Sequence, residues 1–307
     1  MKNIFKIVLL SSVIACEQDI TTGLPESAPL VAFDAWIYHA ATPQTIDIYT
    51  TNTYFDSSEP AGIGGATVVV SNVNDAAETY TFTEAAAGKY VWNPTTPTDT
   101  FATIGGVYAL NIQIGGTTYE SLTNLAAVPS IDSIYWRFDE EDAFIEDSYF
   151  ANFWSRDLEG PGDTYWIKSW KNGELLSKPD EINIAYDAAF SEDGDADGLF
   201  FIQPIRELIN PFEFDDDDIL INPFELGDSI YVELNSISQE AFFFLQQVQV
   251  QTARDGGFGE LFAVPLANIQ SNIFSDNSNE KVVGFFNISA ISSMGKLFTE
   301  DDIRIID

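Results

Sequence analysis

The sequence predicts a mostly β protein: an N-terminal β-sandwich followed by a larger β-rich domain that carries one amphipathic helix. Three observations lead there. Short runs rich in Val, Ile, Thr, Tyr and Phe are separated by Gly, Pro, Asn and Asp at intervals of about ten residues, the punctuation of strands and turns. Apolar and polar residues alternate along several of these runs, as a strand with one buried face requires. Hydrophobic residues make up 45% of the 307 and aromatics 14%, so a large core can form. It has to form, because the single cysteine allows no internal disulfide.

The chain opens with Lys2 and Lys6, a short apolar run over 7–14, and then Cys16. The run is too short to span a bilayer, and Ala15 is the small residue that a signal peptidase needs before its cut. The arrangement resembles the lipobox of bacterial lipoproteins, with Val13 where leucine is commonest. That resemblance implies a signal peptide over 1–15, diacylation of the Cys16 sulfur, and attachment to a membrane through lipid. Each buried methylene of such an anchor contributes about 0.8 kcal/mol, so several acyl chains hold a domain without a transmembrane helix. Residues 16–28 are polar, include Gly23 and Pro25, and read as an acidic tether. Glu17 and Asp19 resemble the acidic export signals that send lipoproteins to the cell surface in Bacteroidota.

Between 29 and 128, seven strands are expected, over 30–38, 45–51, 66–72, 78–84, 89–93, 107–114 and 117–127. Alternation is plainest in Thr79-Tyr80-Thr81-Phe82-Thr83 and Tyr108-Ala109-Leu110-Asn111-Ile112. Gly115-Gly116 is a two-residue hairpin turn between the last two runs. Seven short strands in this length read as a sandwich of immunoglobulin or transthyretin type. Gly106-Val107-Tyr108 and its echo Gly88-Lys89-Tyr90 place a glycine at a corner and a tyrosine over the core.

Pro129 marks the expected boundary to a second domain over 129–307. Strands are expected there over 131–138, 164–170, 199–204, 229–233, 261–264 and 282–288. One helix is expected over 237–252, where Ala241, Phe244, Leu245 and Val248 recur at helical spacing among glutamines. Ser236 with Gln239 offers a capping box, and Gly256-Gly257 a stop. Ile209-Asn210-Pro211-Phe212-Glu213 recurs as Ile221-Asn222-Pro223-Phe224-Glu225, with Asp215 to Asp218 between the copies. A short tandem duplication enlarging one loop explains the echo; no solenoid stands behind it.

Forty-eight acids against 13 lysines and arginines give a formal charge of -35, and removal of the signal takes away lysines but no acid. That balance excludes nucleic acid, whose phosphates need cations opposite them, and docking on anionic headgroups by a basic patch. Solubility at a crowded surface is the plain role of so much charge; binding of cations or of a basic partner is the sharper one. Asp193, Asp195 and Asp197, with Gly198 at the sixth position, match the first half of a calcium loop. The twelfth position, which needs a bidentate acid, is Pro204. Calcium, the one cofactor suggested, therefore needs acids from elsewhere, such as Asp215 to Asp218; without them this is a polar turn between Phe190 and Leu199.

Trp136, Trp154, Tyr165, Trp166 and Trp170 cluster in sequence. Trp166, Lys168 and Trp170 share one face of a strand, which makes Trp166 and Trp170 the candidate ligand-binding aromatics for stacking on sugar rings; core packing is the commoner use. His39 is the sole imidazole, at a strand end before Pro43, and no glycine-flanked serine elbow exists for it to serve. A Ser-His-Asp hydrolase therefore lacks its parts. Two carboxylates at glycosidase spacing could be drawn from many acids here, so acidity is no evidence for them.

Several segments then carry a wider resemblance. They are Pro29-Leu30-Val31 with Trp36-Ile37, Gly65-Ala66-x-Val68, Pro129-x-Ile131-Asp132-Ser133-Ile134, and Gly227-Asp228-Ser229-Ile230-Tyr231-Val232-x-Leu234 with Ile237-Ser238. The closing pair is Pro265-x-x-Asn268-Ile269-x-x-Asn272-Ile273 and Val283-Gly284-Phe285-Phe286. With the lipobox, and in this order, they resemble the Bacteroidota outer-membrane lipoproteins of domain-of-unknown-function family 4249, over nearly the whole mature chain. The resemblance implies the company of TonB-dependent outer-membrane receptors and an accessory role in nutrient capture, and it supplies no catalytic residues. The duplicated Asn-Pro-Phe-Glu segment departs from the family pattern. The expectation is a non-enzymatic, lipid-anchored outer-membrane protein, exposed at the cell surface as an accessory subunit of a TonB-dependent nutrient receptor, binding its ligand or capping its extracellular mouth. The alternatives are a structural or adhesive surface protein with calcium-binding acidic loops, and a carboxylate glycosidase.

Overall fold

The computed structural model describes residues 28–53, 56–139, 147–215, 219–254 and 267–304. Outside them lie the signal, Cys16, nearly all of the tether, Asp216 to Asp218, the Gly256-Gly257 stop and the strand expected over 261–264. Among the described residues no helix is long and apolar enough to cross a membrane.

The N-terminal strands are β1 (Val31–Tyr38), β2 (Gln44–Thr50), β3 (Ala61–Gly62), β4 (Thr67–Asn72), β5 (Thr79–Ala86), β6 (Lys89–Trp92), β7 (Val107–Ile114) and β8 (Thr117–Asn124). They form one sheet that bends back on itself at β5. Residues Thr79 to Phe82 of β5 pair with β4, while Thr83 to Ala86 pair with β6 across a bulge between Glu84 and Ala86. The inward positions of both halves, among them Phe33, Ile46, Val70, Tyr90 and Tyr108, then meet in one core. The protein is mostly β with a sandwich-like arrangement here, as its alternation predicts.

The two Gly-x-Tyr corners work as the sequence suggests. Tyr108 and Tyr90 are fully buried. The Tyr108 hydroxyl accepts from the Thr103 N–H and donates to Glu78; the Tyr90 hydroxyl accepts from the Ala66 N–H and donates to the Ile63 carbonyl. A side chain at Gly106 would strike the Tyr108 ring at 2.7 Å, so only glycine fits that corner.

The second region supplies β9 (Ile131–Asp139), β10 (Ser148–Ser155), β11 (Thr164–Lys171), β12 (Glu174–Leu175), β13 (Asn183–Tyr186) and β14 (Ser229–Ile237). After them come β15 (Phe274–Ser275), β16 (Val282–Ser289), β17 (Ile291–Leu297) and β18 (Ile303–Arg304). A three-stranded sheet, β10-β9-β18, faces a sheet of β12 and β13 beside β11, then β14 and β17. Trp136, Phe153, Tyr165, Val232 and Leu234 fill the space between.

β15 and β16 do not join this pair. β16 runs parallel to β1 with Phe33 opposite Gly284, and β15 pairs with β8 at the other end of the N-terminal sheet. Ile273, Phe286 and Ile288 enter the first core. The ten-stranded sheet is nearly closed as a result, with β16 brought against β8, and it draws on residues from both sides of the boundary at 128/129. Asn272 fastens the join: its side chain donates to the Phe286 carbonyl and accepts from the Phe286 N–H, as a strand partner would.

Among the described residues two α-helices accompany these strands, α1 (Gln203–Glu207) and α2 (Gln239–Thr252). α1 corrects the strand expected over 199–204. Pro204 stands in its first turn, where a proline's missing N–H costs nothing, and Phe201 packs on Phe153 and Tyr165 from irregular backbone. α2 is the expected amphipathic helix, but it is capped by Ser238, whose Oγ accepts from the Ala241 N–H. Ser236 is still in β14, donating to the Ala126 carbonyl. Phe242 lies on the buried face with Ala241 and Leu245, while Val248 is only half-buried. The strands β10, β13 and β17 were not expected. Each is short or heavily interrupted by Ser, Asn and Gly, and each is fixed by pairing with β9, β11 and β14 rather than by its own pattern.

Candidate functional site

Four residues of α2, Glu240, Phe243, Phe244 and Gln247, share one face of the helix by their spacing. That face stands over the outward side of β7 and β8, where Ala109, Asn111, Glu120 and Leu122 point away from the core. The segment from Gln270 to Asp276 forms the third wall, and Phe285 lies at the base. Together they enclose a groove of about 1000 Å³, a size suited to a small ligand or a short peptide. Its apolar patches are open to solvent: Leu122 is 63% exposed, Phe274 65% and Phe243 45%.

The sequence reading missed this groove, although one signal lay in β8. Along Thr117–Asn124 the inward positions include Ser121 and Thr123, which are buried, while Leu122 takes the outward phase. Apolar-out and polar-in is the reverse of what a free surface strand favours. The inward Ser121 is satisfied by donating to the Asn272 carbonyl.

The groove's charge is of one sign. Glu120 accepts from the Asn111 side chain at 3.1 Å, and Asp276 from the Thr118 N–H. Glu240 sits in the first turn of α2, at the positive end of the helix dipole. Among the described residues that line the groove there is no lysine, arginine or histidine. On the other side of Glu240 lies a smaller polar recess of about 180 Å³, lined by Asp163, Thr164, Gln239 and Asn124. Burial, with the carboxylates of Asp157, Asp187 and Asp197 behind it, pushes the Asp163 carboxyl up to about 6. Burial likewise raises Asp157, despite hydrogen bonds donated by the Tyr165 hydroxyl and the Gly198 N–H.

Trp166 and Lys168 do share the outward face of β11, and the structure adds partners from the first sheet. Trp36 meets Trp166 edge-on at 5.2 Å and stacks on Phe285 at 5.6 Å, with Phe244 of α2 against both Trp36 and Phe285. Lys168 donates to the Tyr38 hydroxyl and lies 3.9 Å over the Trp166 ring. Trp166 is thus part of the packing that joins the two sheets. Trp170 stands apart from it, against Tyr231 at 5.3 Å, half-buried. Trp136 is in the second core, stacked on Phe298, and Trp154 packs on Phe200 under the Arg206 guanidinium.

Asp193, Asp195 and Asp197 lie on an exposed turn whose first part is a 3-10 helix at Glu192–Gly194. The backbone turns into the left-handed region at Asp195, and Asp197 accepts from the Gly160 N–H. Among the described residues, no three His, Cys, Asp or Glu side chains are placed to hold a metal ion. His39 follows β1 and its Nδ1 faces the carbonyls of Phe101 and Ala102 at 3.0 Å each, so that nitrogen carries the proton.

The chain matches one family's sequence pattern over residues 17–294, described as a domain of unknown function, DUF4249. The chain belongs to DUF4249. In this DUF4249 member the closing signature has a visible task, since Asn272 and Gly284 seat β16 beside β1. The Gly227-to-Leu234 signature is the start of β14, where Asp228 receives Lys171 at 3.0 Å and the Asn172 side chain at 2.8 Å. No curated protein matches the chain significantly.

Proposed function

We propose that this DUF4249 chain is a non-enzymatic outer-membrane lipoprotein, held at the cell surface through lipid on Cys16. In this reading it serves a TonB-dependent receptor as an accessory subunit that captures ligand. The observation that carries the binding role is the open groove of about 1000 Å³ between α2 and the β7–β8 face, with exposed Leu122, Phe243 and Phe274 and a carboxylate rim. Solvent-exposed apolar side chains gathered around one concavity mark an interaction site more than a scattered surface does. The anchor rests on the run ahead of Cys16, and the receptor on the family resemblance. The non-enzymatic part of the reading rests on the family resemblance, which supplies no catalytic residues.

The test is a gentle detergent pull-down of tagged protein from native outer membranes, with and without calcium, followed by mass spectrometry. A TonB-dependent receptor recovered in near-equal amount is the expected result. Recovery of the lipoprotein alone at low salt would overturn the stable complex. Metabolic labelling with a palmitate analogue tests the anchor separately, since a Cys16→Ser variant should lose the label.

A further inference from the structure

The chemistry of the groove narrows its ligand. Its strand face, helix wall and third wall offer Leu122, Phe243 and Phe274, in that order, for an apolar body. Its ionisable lining is acidic only, Glu120, Glu240 and Asp276 among the described residues, and Asp163 adds a fourth carboxyl just past Glu240. The carboxamides of Gln247 and Gln270 and the Glu240 carboxylate carry no hydrogen bond or ion pair among the described residues. A carboxamide offers one donor group and one acceptor, which matches a peptide unit, and a free carboxylate matches an ammonium or guanidinium. We propose that the groove binds a short peptide that alternates apolar and basic residues. The apolar side chains rest on Leu122, Phe243 and Phe274, the backbone bonds Gln247 and Gln270, and a basic side chain reaches Glu240. This assignment rests on the ligand-capture reading and names the ligand class of that same site.

Because the whole chain is strongly acidic, a basic peptide will be attracted to it everywhere, and the test has to separate groove from field. Calorimetry on the full chain in detergent at 150 mM salt would compare three capped pentapeptides, Phe-Lys-Leu-Lys-Phe, Phe-Gln-Leu-Gln-Phe and Phe-Glu-Leu-Glu-Phe. The lysine peptide should bind at least tenfold tighter than the glutamine one, and the glutamate one not measurably. Leu122→Ser with Phe243→Ser leaves the net charge unchanged and should weaken the lysine and glutamine peptides tenfold or more. Glu120→Gln with Glu240→Gln should shrink the lysine preference below threefold. All four side chains are exposed, so an unchanged melting temperature shows that each variant is folded. Equal binding of the lysine and glutamine peptides, wild-type affinity in the serine variant, or no binding at all would each overturn the proposal. Receptor recovery in the pull-down without peptide binding overturns this inference alone. Peptide binding without a receptor supports the ligand class and overturns the partnership.

Discussion

At the scale of single residues, buried acids set the pH response. The Asp163 carboxyl titrates near 6 when folded, above its ordinary range, because burial and three neighbouring carboxylates disfavour its charge. The folded state therefore holds a proton that the unfolded state has already released between about pH 4 and 6, and stability falls as pH rises through that window. Asp163→Asn removes the penalty. Partial exposure screens it, so the gain at pH 7 should be about 1 kcal/mol, seen as a higher melting temperature that converges with wild type near pH 4. An unchanged melting temperature at pH 7 would show that water relieves the crowding. Gly284 makes the opposite case. Its φ is +99°, and a side chain there would lie 1.8 Å from the Phe33 carbonyl oxygen across the parallel pair. Gly284→Ala should cost at least ~2 kcal/mol in urea unfolding, by forcing β16 away from β1.

At the scale of elements, the duplicated segment shows how one sequence serves two structural jobs. In the first copy Asn210 is buried, its side chain bonding both the N–H and the carbonyl of Ala151, while Phe212 is about half exposed and rests on Phe214. In the second copy the roles reverse. Phe224 is buried edge-on to Trp136, and Asn222 turns to the left-handed region and accepts from the Lys171 ammonium with both its side chain and its carbonyl. Phe224→Ala should therefore cost about 3–4 kcal/mol, as a core aromatic does, and Phe212→Ala less than ~1 kcal/mol. Near-equal losses in chemical denaturation would mean that the copies are interchangeable after all. The echo was legible in the sequence. The division of labour was not, because it depends on the neighbours each copy meets: Ala151 for Asn210, and Trp136 with Tyr149 for Phe224.

At the scale of the whole molecule, the N-terminal sheet is incomplete without the last third of the chain. A fragment of residues 28–128 leaves the β1 edge bare and removes Ile273, Phe286 and Ile288 from its core. Its expected state is unfolded or aggregated, read by amide dispersion in an NMR spectrum, and a well-dispersed spectrum would show that the sandwich stands alone. The sequence by itself determined the β class, most N-terminal strands with their glycine-tyrosine corners, the helix, the family, and the strong net acidity. Those features are local: period-two alternation, turn chemistry and composition are written within a few residues of where they act. Only the tertiary structure decided that β16 returns to β1, that Trp166 is spent on joining two sheets, and that α2 hangs over an inverted stretch of β8 to make a groove. Pairing between residues 251 positions apart, such as Val31 and Val282, leaves no periodic mark on either partner, since it is set by which edges and faces remain to be covered once the local elements exist.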